Sequence, residues 1–318
     1  MSLVIKTLVL LGGMSFAVMA ADLRIGIVGT DTSHVTAFTQ ILNDPAAPDH
    51  VAGARVVAAY RSGSPDIESS RSRVDKFTAE LRDKWHVKIV PSIEELCAQV
   101  DAVLLESIDG RVHLTQVRPV FAAHKPVFID KPMASTLEDA REIARLAKES
   151  NVPWFTASSM RFGGVAALRS ADLEGAMTWG PGPLEEHHQL ELAWYAIHPI
   201  EMLYTLMGTG CEEVTRIVSA DSDVIVGRWK GGRLGSVRTL RPYGDYGAIV
   251  FRKNSKGQSG EVTRKVDEGG YAPLVREIVQ FFETRKPPVS NEESVEIFAF
   301  LDAAQRSKEA GGKPMSLR

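Results

Sequence analysis

Cysteine is nearly missing from this chain, which has two in 318 residues, Cys97 and Cys211. That excludes a scaffold built on disulfides, and without C-x-x-C spacing it excludes a zinc site made of thiolates. The two could pair in an oxidising compartment, but buried, unpaired thiols are the simpler reading. A positive excess is missing as well. The net charge of −3 leaves no global basic field for nucleic acid or an anionic membrane. Arg71, Arg73 and Lys76 cluster, but Glu68, Asp75 and Glu80 dilute them, so the stretch reads as a solvated helix face. There is no internal repeat and no low-complexity tract. The apolar run Thr7 to Val18 is too short to favour a stable membrane span. Lys6 precedes it and Val18-Met-Ala20 offers a small-residue cleavage site, so Met1 to Ala20 reads as an export signal rather than an uncleaved anchor. No twin arginine is present, so export is expected in the unfolded state, to the periplasm or the outside.

Glycine is short where it matters most. Leu23 to Val28 is a strand candidate and Val35 to Leu42 a helix candidate, joined by Gly29-Thr-Asp-Thr-Ser-His34. A dinucleotide-binding turn would carry G-x-G-x-x-G on Gly29, Asp31 and His34, and only Gly29 is there. The second glycine normally lets the backbone approach a pyrophosphate; Asp31 puts an anionic side chain in its place. The remaining candidates for holding a phosphate are Gly29, Thr30, Ser33 and His34, at a turn and a helix N-terminus.

Strands and helices then alternate. Ala54 to Tyr60, Val87 to Val90, Asp101 to Glu106, Pro126 to Asp130 and Val152 to Ala157 read as strands. Helices are expected at Ser70 to Lys84, Ile93 to Gln99 behind a Ser92 cap, His113 to Ala123 and Thr136 to Ser150. This pattern predicts an α/β fold with a doubly wound parallel sheet over residues 21–158. From about Met160 the texture changes. Val214 to Ala220, Asp223 to Trp229, Gly235 to Leu240 and Tyr246 to Phe251 look extended, with a hairpin signal at Lys230-Gly-Gly-Arg233. Residues 159–318 are expected to form an α+β domain with an open, mainly antiparallel sheet, closed by helices at Tyr271 to Thr284 and Ser294 to Ala310.

Three groups of residues can carry chemistry. Lys131, in Phe128-Ile-Asp-Lys-Pro132, ends a strand at the edge where doubly wound sheets bind ligands. Partial burial there would lower its pKa towards the range useful for proton transfer. Trp194-Tyr-Ala-Ile-His198-Pro-Ile-Glu201 offers His198 as a proton carrier, with Glu201 on the same helix face and Tyr195 beside it. Trp194 and Tyr195 suit stacking on a sugar ring, though core packing would use them equally. Glu185-Glu-His187-His188 adds histidines and carboxylates, but no sharp ligand spacing supports a metal, and none is expected. His113 either lines the crevice or fills space under it.

These residues in this order resemble the Gfo/Idh/MocA family, the glucose–fructose oxidoreductase and inositol dehydrogenase group, over almost all of the chain after Ala20. Asp130-Lys131-Pro132 is similar to that family's Glu-Lys-Pro motif, and Ser159-Met-Arg161-Phe162 to the segment opening its second domain. His113, His198, Glu201, Lys286-Pro-Pro-Val-Ser290 and Ala303-Ala-Gln-Arg-Ser307 match further family positions. The resemblance implies NAD or NADP as cofactor, a sugar or polyol substrate, and a homo-oligomer formed through the second sheet. It implies that Lys131 touches substrate and nicotinamide ribose, and that His198 is the acid/base. Departures accompany it. The acidic ribose ligand after the second strand is replaced by Tyr60-Arg61-Ser62, where Arg61 and Ser62 would suit a 2′-phosphate, and Trp194 stands where an aspartate is expected. Besides an oxidoreductase, two alternatives stand: a cofactor-independent lyase, hydratase or epimerase acting on a keto-sugar through Lys131 and His198 or Tyr195, and a sugar-binding protein without catalysis.

Overall fold

A computed structural model describes residues 21–253, 259–266 and 269–317; the expected export signal lies outside the described residues. The first half is built as the alternation predicts. Strands β1 (Leu23–Val28), β2 (Ala54–Tyr60), β3 (Lys88–Val90), β4 (Ala102–Leu105), β5 (Val127–Ile129) and β6 (Trp154–Phe155) pair in parallel in the order β3-β2-β1-β4-β5-β6. The strand order reverses between β1 and β4, and that switch point is where such sheets open a crevice. Helices α1 (Ser33–Asn43), α2 (Glu68–Arg71), α3 (Val74–Asp83), α4 (Ile93–Cys97), α5 (Gly110–Ala122) and α6 (Leu137–Ser150) connect the strands. Local chemistry sets their ends. Thr32, Ser92 and Thr136 cap α1, α4 and α6 through their hydroxyls, and Asn151 ends α6 in the left-handed conformation.

The second half surrounds α7 (Ile197–Met207), a helix buried along its whole length. It packs on a seven-stranded sheet made of β7 (Leu173–Pro181), β8 (Cys211–Val218), β9 (Asp223–Trp229), β10 (Leu234–Leu240), β11 (Gly247–Lys253), β12 (Ser259–Lys265) and β13 (Met315–Ser316), in the order β12-β11-β7-β10-β9-β8-β13. Only the β7–β10 pair is parallel among the described pairings. The expected hairpin is present, with Gly231 and Gly232 at φ of 82° and 84° between β9 and β10. Strand β7, inside the sheet between β11 and β10, was not among the expected strands. Of the two closing helices, α9 (Asn291–Glu309) joins this core, whereas α8 (Ala272–Thr284) packs Val275, Ile278 and Phe281 against Phe38 and Phe155 of the first half. Both cysteines are unpaired and buried, and burial pushes their thiols up to about 11 and about 12.

One buried charge network holds the second sheet. Arg216 of β8 is buried and reaches Glu191 at 2.7 Å and Asp223 at 3.2 Å; Arg241 also meets Asp223, at 2.7 Å. Removing one member of such a set leaves a buried charge short of its partner. Arg216→Met is expected to cost about 3 kcal/mol, read as a lower urea midpoint with an unchanged slope.

Candidate active site

The crevice at the switch point is a cleft of about 430 Å³ between the two halves. Ser33, His34, Arg73, Ile108 and Lys131 form one wall; Trp194, Tyr195, His198, Tyr243 and Tyr246 form the other. A larger groove of about 1250 Å³ lies between α6 and α9, lined by side chains such as Arg141, Lys148, Arg285 and Glu296, and it gathers no acid–base pair like that of the cleft.

Lys131 is half-buried at the end of β5, with its ammonium 5.7 Å from the centre of the Tyr195 ring. Burial lowers its pKa from the ordinary 10.5, against the opposing pull of Asp130 and Glu106. His198 enters at the start of α7. Its Nδ1 lies 2.7 Å from the hydroxyl of Ser158, which leaves Nε2 as the free ring nitrogen. Burial, then the positive charges of Lys131 and His34, hold its pKa well below 6.5. The imidazole is therefore neutral at neutral pH and able to accept a proton.

Beneath Lys131 lies a buried acid–base group. His34 Nδ1 lies 2.6 Å from Asp130 Oδ2, and the Lys131 amide donates to Asp130 Oδ1 at 2.8 Å. Burial opposes ionisation of Asp130, but His34 and Lys131 outweigh it and hold the carboxyl below its ordinary range. Glu106, just past β4, is fully buried beside them, and neither of its oxygens meets an N–H or hydroxyl donor among the described residues. Burial, then the charge of Asp130, push its carboxyl well above the usual range. Glu106 thus holds its proton more tightly than a free glutamate and is placed to donate it to Asp130. Donor atoms of His34, Glu106 and Asp130 lie within 4.8 Å of one another, a spacing a cation could use.

Other expected residues sit elsewhere. The side chain of Thr30 turns into the protein and meets Thr78 at 2.8 Å, and Arg61 pairs with Asp75 at the surface; neither lines the cleft. Ser62 accepts from Gln116, and its hydroxyl is engaged within the first half. His188 reaches Asp109 at 3.0 Å and His187 reaches Glu185 at 2.5 Å, so neither histidine converges on Lys131. Glu201 faces Arg161 at 2.6 Å, away from proton transfer. His113 is a buried spacer held between the carbonyls of Ser107 and Met133. Trp194 lines the cleft, and its ring meets His188 edge-on. Sequence reading missed Glu106, although a lone acid closing an apolar strand at the ligand-binding edge was a usable signal. It also set Arg73 on a solvated face, whereas the structure turns Arg73 into the cleft.

The first turn fits a nucleotide in part. Gly29 adopts φ of 87°, and a Cβ there would lie 2.2 Å from the Ser107 hydroxyl, so the close turn requires glycine. The N-terminus of α1 opens onto the cleft through Ser33 and His34. Asp31, however, is fully buried and bonded across the crevice to the Ile108 amide at 3.0 Å and the Ser70 hydroxyl at 2.6 Å.

A doubly wound domain of the dinucleotide-binding type and a second, mainly antiparallel sheet thus enclose a lysine–histidine cleft between them. Residues 23–158 match the model of the Gfo/Idh/MocA family, described as an oxidoreductase family with an NAD-binding Rossmann fold. The chain is similar to 1,5-anhydro-D-fructose reductase of Ensifer adhaerens and inositol 2-dehydrogenase of Paracoccus denitrificans, each 34% identical over 124 residues. Those matches cover 38% of this chain and only 37% and 32% of the two relatives. The fold is similar throughout to solved structures. Myo-inositol dehydrogenase of Lactobacillus casei, in complex with NAD(H) and myo-inositol, has a TM-score of 0.70 at 19% identity, covering 94% of this chain and 97% of that one. An oxidoreductase of Agrobacterium radiobacter, in complex with NAD+, L-tartaric acid and magnesium, has a TM-score of 0.70 at 13% identity, covering 93% and 99%.

The pKa shift of Glu106 makes a prediction about stability. The folded chain holds a proton that the unfolded chain releases above its ordinary 4.5. Stability is therefore whole below that value and falls as pH rises towards the folded pKa, by up to about 1.4 kcal/mol per pH unit. Glu106→Gln is expected to flatten this decline in melting temperature relative to wild type measured at the same pH values, the histidines contributing equally to both; an unchanged slope would show that Glu106 is ionised in the fold.

Proposed function

We propose that this chain is an NAD(P)-dependent oxidoreductase acting on a hydroxyl of a sugar or sugar derivative. One observation carries the reading: a half-buried ammonium and a neutral imidazole line a single cleft at the switch point of an NAD-binding-type sheet. The names of the relatives, an anhydrofructose reductase and inositol dehydrogenases, support the substrate class.

The residues divide the work. Aromatic rings of Trp194, Tyr195 and Tyr243 offer apolar faces to a sugar ring. His198 takes the hydroxyl proton on the ring nitrogen that Ser158 leaves open. Lys131 stabilises the alkoxide that develops as the proton leaves. Asp130, held by His34 and sharing the proton of Glu106, fixes the backbone from which Lys131 projects. NAD or NADP, when bound, supplies the hydride acceptor. Gly29, Ser33 and His34 are the residues placed to hold it.

A homo-oligomer and export belong to the same proposal. Leu234, Gly175 and Phe251 lie side by side across β10, β7 and β11, with Met177 one pair further along, and the three large apolar side chains among them are exposed. Such a row suits a sheet-to-sheet interface. Export would follow from Met1 to Ala20, and N-terminal sequencing of the secreted chain should begin at Ala21; retention of Met1 would remove that element. A second reading, proton transfer beside a carbonyl without a dinucleotide, draws its support from the bridge that Asp31 makes across the crevice.

Lys131→Met is expected to lower turnover at least about a thousandfold while melting temperature stays within a few degrees. Turnover within threefold of wild type would remove Lys131 from the chemistry.

A further inference from the structure

We propose that Asp31 is the residue that sets dinucleotide affinity in this chain, because its side chain bridges the crevice along the path a pyrophosphate takes. The inference rests on the cofactor reading above and concerns the stretch of the site that the reading leaves open.

In a doubly wound sheet a dinucleotide lies across the C-terminal ends of the strands flanking the switch point, with its pyrophosphate over the first turn. Here those ends belong to β2, β1 and β4. Each is tied to its neighbour by side chains. Asp31, after β1, accepts from the Ile108 amide after β4 at 3.0 Å and from Ser70 after β2 at 2.6 Å. Ser64 donates to Asp109 at 2.5 Å, and Arg111 grips Asp66 through two contacts at 2.8 and 2.9 Å. Gln116 donates to Ser62 at 3.0 Å. Residues after β2 are thereby drawn onto the loop after β4, across the place of the adenosine.

The two parts of this bridge differ in strength. Arg111 and Asp66 sit at the rim, where water screens an ion pair, so that contact opens at little cost. Asp31 is fully buried and both its oxygens are satisfied by donors. Its position is that of the second glycine, where a backbone without a side chain would let phosphate oxygens approach. A carboxylate there takes up the volume, uses the Ile108 amide, and sets one negative charge against the pyrophosphate. Entry of a dinucleotide must displace that side chain or leave the pyrophosphate outside the turn.

The test is a titration of the purified chain with NADH and, separately, NADPH, followed by nicotinamide fluorescence and by heat, for wild type and for Asp31→Gly, Asp31→Asn and Ser70→Ala. Asp31→Gly is expected to bind NADH at least about tenfold tighter than wild type. Asp31→Asn, which removes the charge and keeps the shape, should fall between them, and Ser70→Ala should also gain. Without nucleotide, Asp31→Gly should melt lower than wild type because Ile108 and Ser70 lose their acceptor. If the glycine variant fails to fold by circular dichroism, the asparagine and alanine variants carry the comparison. Equal affinity for wild type and variants would overturn this inference and leave the cofactor reading standing. Silence from every variant that folds would overturn both.

Discussion

Asp130 is the point on which the cleft depends. One oxygen holds His34 at the start of α1, and the other accepts the amide of Lys131 at the end of β5. The same carboxylate lies beside the buried Glu106, just past β4, and its charge raises the pKa of that carboxyl. The edges of three structural elements therefore meet on one buried group. An unpaired carboxylate could not persist there, since desolvation alone would neutralise it. It stays ionised because His34 and Lys131 surround it. Lys131 keeps its place because the backbone that bears it is anchored underneath.

The far wall is set by a second group of contacts. Ser158 meets His198, and Arg161 lies between Glu201 at 2.6 Å and Glu293 at 2.7 Å. The segment leaving the first sheet thus fixes both the start of α7 and its approach to α9. His188 reaches back to Asp109 at 3.0 Å, so a second polar contact joins the two halves. Burial does the rest of the work on His198: with the Lys131 charge nearby and little water, the imidazole has no reason to hold a second proton. The neutral state of this imidazole is a consequence of packing.

Much of this was legible in the chain. Apolar runs ending in Gly29, Glu106 and Lys131 revealed a parallel sheet and its ligand-binding edge, because alternation of strands and helices admits few other arrangements. Lys131, Tyr195 and His198 could be singled out by residue type and position. Strand β7 could not: Leu173-Glu-Gly-Ala-Met-Thr-Trp-Gly-Pro181 carries two glycines and a proline and little of the β-branched character that marks strands. The sheet forms it by pairing on both sides, which overrides local preference. Helix α8 has the expected length, but its partner sheet depends on tertiary packing that no periodicity encodes. The contacts of Thr30 and Arg61 were hidden for a similar reason, since their partners Thr78 and Asp75 lie 48 and 14 residues on. The anion at Asp31 was visible; its partners Ser70 and Ile108, 39 and 77 residues on, were not.

The account rests on a neutral imidazole held beside an ammonium in one cleft. A titration of the histidine side chains by ¹⁵N-edited nuclear magnetic resonance, with His198→Gln used to assign the signal, measures that directly and needs neither substrate nor cofactor. His198 is predicted to stay neutral on lowering the pH well past 6.5, the value of an unperturbed imidazole. Protonation of His198 at or above 6.5 would contradict the account.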